Sequence, residues 1–371
     1  MKDKIIKEVE NISDEMIESI IKIVKINSVK SKKEENAPFG KGIKEALDET
    51  LKIARELGFN TKNIDNYIGY ASYGESEDYI CAIGHLDVVP VGIGWKNEPF
   101  SGHLENGVIY SRGILDNKGP ILSNLFALYA LKRLNLNFDK EIRIIFGCDE
   151  ESGFEDLKYY LTKEKAPIMG FTPDCKYPVV YAERGRATIE IKCPNTRLND
   201  FFELVNNYIL NSKNNGEQFN IDVNDEEFGI LECRNYSINY GEVLSLKFNV
   251  SYPACITCDE IIKRIKDTNK SFEVECLNNF NPVRFEKDCF LVDTLTKTYE
   301  MITGEDGSPV TTTGGTYAKL MPGIVPFGPS FPGQKGIGHE ANEWMSVEDI
   351  ISNAKIYALS LYYLAKGIEL K

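Results

Sequence analysis

The sequence predicts an α/β protein with a mixed sheet flanked by helices and a smaller α+β domain inserted before its C-terminal part. Three observations carry this. Through the first half, short apolar runs alternate with stretches of helical spacing, the pattern of strand–helix units feeding one parallel or mixed sheet. After Gly185 the chain turns to polar–apolar alternation broken by two helical stretches. From Asp288 the helical spacing resumes. The expected division is therefore 1–185 for the first part of the main domain, 186–286 for the insertion and 287–371 for the second part.

The elements follow in order. Residues 1–4 open a charged, helix-like stretch without the apolar core of a signal peptide, and a cytoplasmic location is expected. Residues 13–26 and 42–57 repeat apolar side chains at spacings of three and four, which predicts amphipathic helices, the second stopped by Gly58. Residues 79–83 read as a buried strand that ends in Gly84-His85. Residues 120–134 read as a helix with Pro120 near its first turn, where a missing N–H costs little. Residues 141–146 form the next strand, 147–153 its loop and 155–161 a helix. In the insertion, 187–192 and 243–252 alternate as half-exposed strands, 200–210 and 258–265 look helical, 211–216 is a polar turn, and 272–277 closes the sheet. Helices return at 288–303 and 347–365.

Composition excludes some function classes. The formal charge of −13 argues against a nucleic-acid partner, since phosphate neutralisation needs basic surface. No apolar run is long enough to span a bilayer. The nine cysteines are scattered and mostly lie in apolar runs, so reduced thiols are expected rather than disulfides. Cys255 and Cys258 form a lone C-x-x-C, read as small residues in a turn.

The chemistry concentrates in three clusters: Gly84-His85-Leu86-Asp87, Asp149-Glu150-Glu151 and Gly338-His339-Glu340. The chain has three histidines, and two stand here. Scarce histidine beside clustered carboxylates is what a site for one or two divalent metals needs. In an extended segment His85 and Asp87 point the same way, so one can bind metal while the other fixes the imidazole. A structural histidine would read the same. Asp116, just before a helix, reads either as a capping aspartate or as a carboxylate shared by two metals. Glu150 and Glu151 are loop neighbours that can face different directions, one to a metal and one as a base, or else form a solvated acidic face. Asp174 is a strand-end carboxylate. His339 sits in a glycine-rich loop whose backbone freedom suits a ligand. His103, in a polar hairpin-like stretch, reads as a surface residue. Ligands of open α/β sheets bind beyond the carboxyl ends of the strands, so His85 and the Glu150–Glu151 pair can converge.

Taken together, Gly84-His85-Leu86-Asp87-Val88-Val89-Pro90, Gly94-Trp95, Pro99-Phe100, Tyr110-Ser111-Arg112-Gly113, Asp116-Asn117-Lys118-Gly119, Asp149-Glu150-Glu151-Ser152-Gly153 and Gly338-His339-Glu340 resemble the dinuclear zinc metallopeptidases. That family includes aminoacylases, carboxypeptidase-G-type enzymes and PepV-type dipeptidases. Thr172-Pro173-Asp174 and Gly314-Gly315-Thr316-Tyr317 look most like the PepV branch. The resemblance implies a zinc-exopeptidase-like catalytic domain, with the insertion as a lid or dimerisation domain. It implies two Zn²⁺, with Co²⁺ or Mn²⁺ as alternatives. Asp116 would bridge them, with His85 and Asp174 completing one site and Glu151 and His339 the other. Asp87 would orient His85. Glu150 would be the general base that moves a proton from the attacking water to the leaving amine. Gly314, Gly315, Thr316, Arg184 and Arg186 are candidate substrate contacts. The implied substrate is a dipeptide or N-acyl amino acid, and the implied state a monomer in preference to a homodimer.

The departures from the family lie in the insertion. It is shorter, and the family's lid Asn and His are missing; no histidine lies between His103 and His339. The family's lid Arg is replaced by Ser251, ahead of Tyr252-Pro253. Two readings follow. One is an amide hydrolase with altered recognition. The other is a metal-binding homologue without catalysis that binds a peptide or partner.

Overall fold

In the computed structural model, which describes residues 1–370, the chain divides into two units. The first takes residues 1–180, 286–310 and 316–371; the second takes 181–285 and 311–315. The second unit thus includes a short returning segment, 311–315, that the sequence reading left with the catalytic part.

The first unit is built on a six-stranded sheet in the order Asn60–Ile64, Ile68–Tyr73, Glu141–Gly147, Tyr79–His85, Met169–Thr172, Ile324–Pro326. The last four strands run parallel to one another, and Ile68–Tyr73 pairs antiparallel with Glu141–Gly147. Tyr79–His85 is buried along its whole length, as a central strand covered on both faces must be. Helix Lys118–Arg133 packs against that strand and against the last helix, Val347–Lys366. It is apolar nearly all round because it has no free face. The last helix starts where the Ser346 hydroxyl accepts the Asp349 N–H at 2.9 Å and stops at Gly367 in the left-handed region.

Three strands of this sheet escaped the sequence reading. Asn60–Ile64 is an exposed edge with one buried residue, Ile68–Tyr73 mixes glycine, alanine and serine, and Ile324–Pro326 has only three residues. None carries a periodic apolar signal.

The second unit holds a four-stranded antiparallel sheet in the order Glu232–Asn239, Val243–Tyr252, Gly185–Pro194, Glu273–Phe280. Ile189, Ile191, Leu246 and Phe248 from the sheet bury against Phe201, Ile261 and Ile265 from helices Leu198–Val205 and Cys258–Thr268. The helix expected over 200–210 is α-helical only to Val205 and continues as a π-helical turn, Asn206–Leu210. At its end the Asn211 side chain competes for a backbone group, its Nδ2 donating to the Asn206 carbonyl at 3.1 Å. Strand Glu232–Asn239 was missed because its residues are mostly polar. All nine cysteines are free thiols, and Cys258 lies 3.5 Å from Cys276.

Candidate active site

The sheet register sets the cluster. His85 ends its strand opposite Gly147, so the loops that follow the two strands leave the sheet side by side. Asp174 comes two residues after the end of the neighbouring strand. Asp116 immediately precedes the turn into helix Lys118–Arg133. All are strand-end or helix-start positions of the first unit.

His85 is buried. Its Nδ1 lies 2.9 Å from the Asp87 carbonyl oxygen, which fixes the Nδ1–H tautomer and leaves Nε2 as a donor atom. Nε2 is 3.0 Å from Asp116 Oδ1 and 3.7 Å from Asp174 Oδ2. The other oxygen of Asp116 is 3.0 Å from His339 Nε2, which is 2.9 Å from Glu151 Oε1. The result is two groups, His85–Asp116–Asp174 and Asp116–Glu151–His339, each with its ligand atoms within 4.8 Å of one another. Donors about 2.0–2.1 Å from a tetrahedral ion stand roughly 3.3 Å apart, so these spacings fit one divalent ion per group. The five residues expected from the sequence as ligands are brought together, with Asp116 common to both groups.

The electrostatics agree with a site built for cations. Hydrogen bonds to Asp116 and Glu151 lift the His339 imidazole to about 11. Burial pulls His85 down, but Asp174, Asp116 and Asp87 outweigh it and hold it well above its ordinary value. Burial would raise Asp116, yet the two imidazoles hold it well below the usual carboxylate range. Burial, with the charge of Asp116 next, pushes Asp174 up to about 7. Burial, then Asp174, with Glu151 and Asp116 adding, pushes Glu150 well above the normal carboxyl range. Without cations, trapped protons offset the crowded carboxylates.

Asp87 does more than face the imidazole. Its two carboxylate oxygens accept the backbone N–H groups of Glu150 at 3.2 Å and Glu151 at 3.1 Å. The ring's nearer partner is the Asp87 carbonyl; the carboxylate oxygen lies 3.4 Å from Nδ1. Asp87 therefore ties the Glu150–Glu151 loop to His85. The same loop is held by buried Asp156, which accepts from Cys148 N at 2.6 Å, Asp149 N at 3.1 Å and the Tyr317 hydroxyl. Lys30 Nζ meets buried Asp149 at 2.5 Å. Sequence reasoning gave no role to Lys30, Arg112, Asn117, Asp156 or Glu343. Arg112 and Asn117 lie inside quoted motifs, but nothing local marks Asp156 or Glu343 as buried acids.

The expected substrate contacts are more dispersed. Arg184 is buried within the second unit, its guanidinium donating to the Phe228 carbonyl at 2.9 Å from Nε and lying 3.8 Å from Glu232. Arg186 is exposed on the strand that follows. Gly314 and Gly315 belong to the 311–315 segment of the second unit, while Thr316, in the first, caps a short 3₁₀ turn by accepting from Ala318 N. Beside the metal-competent groups lies a cavity of about 240 Å³ lined by Asp116, Asp174, Ser330, Gln334, Lys335 and Gly338 among others. Gln334 is committed to the Phe331 N–H and to Asp349.

A mixed-sheet domain in which a strand-end histidine, a loop histidine and three carboxylates converge on two groups sized for ions defines the class of metal-dependent hydrolases. The model of Peptidase family M20/M25/M40 matches residues 81–362, and the chain belongs to that family. It is 29% identical to YtjP of Bacillus subtilis (strain 168), over 95% of this chain and 98% of that one. It is 27% identical to the Beta-Ala-Xaa dipeptidase of Lactobacillus delbrueckii subsp. lactis, over 96% and 97%. The fold matches that of human carnosine dipeptidase 1 with a TM-score of 0.73 at 14% identity, over 98% of both chains. No helix among the described residues is long and apolar enough to cross a membrane.

Proposed function

We propose that this protein hydrolyses the amide bond of dipeptides, with N-acyl amino acids as the related substrate class, at a site for two divalent ions. The observation that carries the reading is Asp116, which presents one oxygen to His85 and the other to His339. The dipeptidase named among its relatives supports the substrate class. Imidazole and carboxylate donors suit Zn²⁺, with Co²⁺ or Mn²⁺ as alternatives, better than Mg²⁺ or Ca²⁺. Bound there, such ions supply Lewis acidity to the scissile carbonyl and acidify the attacking water.

The remaining work falls to the chain. Glu150, its carboxyl raised by burial and neighbouring charge, takes a proton from the attacking water and returns it to the leaving amine. Asp87 keeps the Glu150 backbone in register with His85. The cavity beside Asp116 and Asp174 receives one residue of the substrate.

The test is hydrolysis of a panel of dipeptides and N-acyl amino acids by zinc-loaded protein beside its Glu150→Gln variant. Cleavage that disappears in the variant supports the reading. Silence of the zinc-loaded protein across the whole panel refutes it and leaves a metal-binding protein without catalysis.

A further inference from the structure

We propose that two separate side-chain clamps position the two metal groups, Asn117 on the His85 side and the Arg112–Glu343 pair on the His339 side. The inference rests on the two-ion reading of the site, but not on the reaction proposed for it. Asn117 and Glu343 are fully buried and Arg112 nearly so.

Asn117 joins the members of the first group. Its Oδ1 accepts the backbone N–H of His85 at 3.3 Å. Its Nδ2 donates to the Pro173 carbonyl at 2.5 Å and reaches Asp174 Oδ1 at 3.4 Å. One amide thus connects the strand end that carries His85 with the loop that carries Asp174. Gly84 makes this possible, since a Cβ there would stand 2.1 Å from Asn117 Oδ1.

The other clamp holds the opposite flank of Asp116. Glu343 Oε1 accepts the N–H groups of Leu115 at 2.9 Å and Asp116 at 3.1 Å. Glu343 Oε2 accepts from Arg112 Nη1 at 2.7 Å. Arg112 Nη1 also donates to the Glu340 carbonyl at 3.2 Å, one residue past His339. The Ser111 N–H closes the segment by donating to the Glu343 carbonyl at 3.0 Å. His339 itself is half-exposed, lies in no helix or strand, and has a φ of +64°. Its distance from Asp116 is therefore set by how residues 340–343 are fastened to 111–116. Asp116 is common to both ions and its N–H is held by Glu343, whereas His85 and Asp174 are joined by Asn117. Damage to the Arg112–Glu343 pair should therefore loosen the ion at His339 more than the ion at His85, and damage to Asn117 the reverse. A general loss of stability would weaken both together.

The histidine content makes this measurable in solution without any substrate. The chain has three histidines; His85 and His339 each belong to one group, and His103 belongs to neither. Protein labelled with ¹⁵N-histidine is stripped of metal and titrated with Zn²⁺ under a competing chelator, following the imidazole signals. His103 serves as the reference and as a check that each variant is folded. Glu343→Asp keeps the charge opposite Arg112 and shortens its reach to the two amides; Arg112→Lys keeps a cation and loses the fork. Both should weaken the Zn²⁺ reported by His339 about 10–100-fold, the usual effect of removing a group that orients a ligand, and weaken that reported by His85 much less. Asn117→Ala should do the reverse, with Asn117→Asp as the substitute if the alanine variant does not fold. Parallel weakening at both histidines, or no weakening at either, overturns the proposal. If the unaltered protein shows no Zn²⁺-dependent shift at His85 and His339, it is the two-ion reading that fails.

Discussion

Metal loading should expel protons from the imidazoles. In the metal-free cluster His339 is raised to about 11 and His85 is held well above its ordinary value. At pH 8 His339 is an imidazolium ion, and His85 is shifted in the same direction, yet a metal needs the neutral ring. Filling the His339 group at pH 8 should therefore release about one proton, and the shift at His85 adds to that release. Each displaced proton makes the apparent affinity of that ion rise about tenfold per pH unit, or about a hundredfold from pH 7 to pH 9. Asp174, pushed up to about 7, adds a fractional proton near neutrality and little at pH 8. The sign for stability runs the same way. His339 is raised in the folded state, so its contribution is complete below about 6.5 and is lost as pH climbs through about 11. Asp174 is also raised, so its contribution is complete below its ordinary value and is lost as pH climbs through about 7. Metal-free protein should accordingly lose stability toward alkaline pH from these groups, and the gain in Tm on adding Zn²⁺ should widen from pH 6 to pH 9. Calorimetric titration at pH 8 in buffers of different ionisation enthalpy counts the protons. A binding enthalpy independent of buffer, with affinity flat between pH 7 and pH 9, would show that the His339 imidazole is already neutral and refute the reasoning.

Three further outcomes are expected. Glu150→Gln should lower kcat by about 10²–10⁴-fold, the range for a positioned acid–base group, while Zn²⁺ affinity stays near that of the parent; steady-state kinetics and chelator competition check both. Gly84→Ala should destabilise the fold by about 1–3 kcal/mol through overpacking, because the new Cβ would sit 2.1 Å from Asn117 Oδ1 and 3.0 Å from Ile121 Cβ, and denaturant unfolding measures it. Asp87→Asn leaves one side-chain oxygen for two N–H donors and removes the buried charge they point at. It should cost about 1.5–3 kcal/mol in unfolding free energy and lower kcat through a loosened Glu150 loop.

Several residues of the two metal-competent groups were legible because they stand beside a local signal, His85 after an apolar strand, Glu151 in a loop bounded by Gly147 and Gly153, His339 among glycines, while their division into two ligand sets came from the family resemblance. The main elements were legible for the same reason, since helices 13–24, 41–56 and 347–366 carry apolar stripes or caps that need no tertiary context. What could not be read depends on pairing at a distance. Strand Asn60–Ile64 has one buried residue and exists because Ile68–Tyr73 offers it a partner. Glu343 is a buried acid only because Arg112 and two backbone N–H groups, more than two hundred residues earlier, come to meet it. The dual role of Asp87 was hidden likewise: from sequence its neighbour is His85, while the amides its carboxylate accepts belong to Glu150 and Glu151.

The placement of these residues also weighs the two readings that the sequence left open. The family resemblance is weakest in the insertion, where the lid histidine and arginine are missing. Every member of both metal-competent groups, the candidate base Glu150, and the clamps formed by Asn117, Arg112 and Glu343 lie in the first unit. A shorter second unit therefore removes none of the residues proposed to hold an ion or move a proton. A protein kept only for binding through its insertion would have no use for a carboxyl raised by burial beside two cation-ready groups, since that arrangement costs stability in the absence of metal. The retained chemistry points to altered substrate choice rather than to lost catalysis. The consequence is specific: relative to a family member with the full insertion, this enzyme should show its difference in KM and in which dipeptides it accepts, while the pH profile set by Glu150 is preserved.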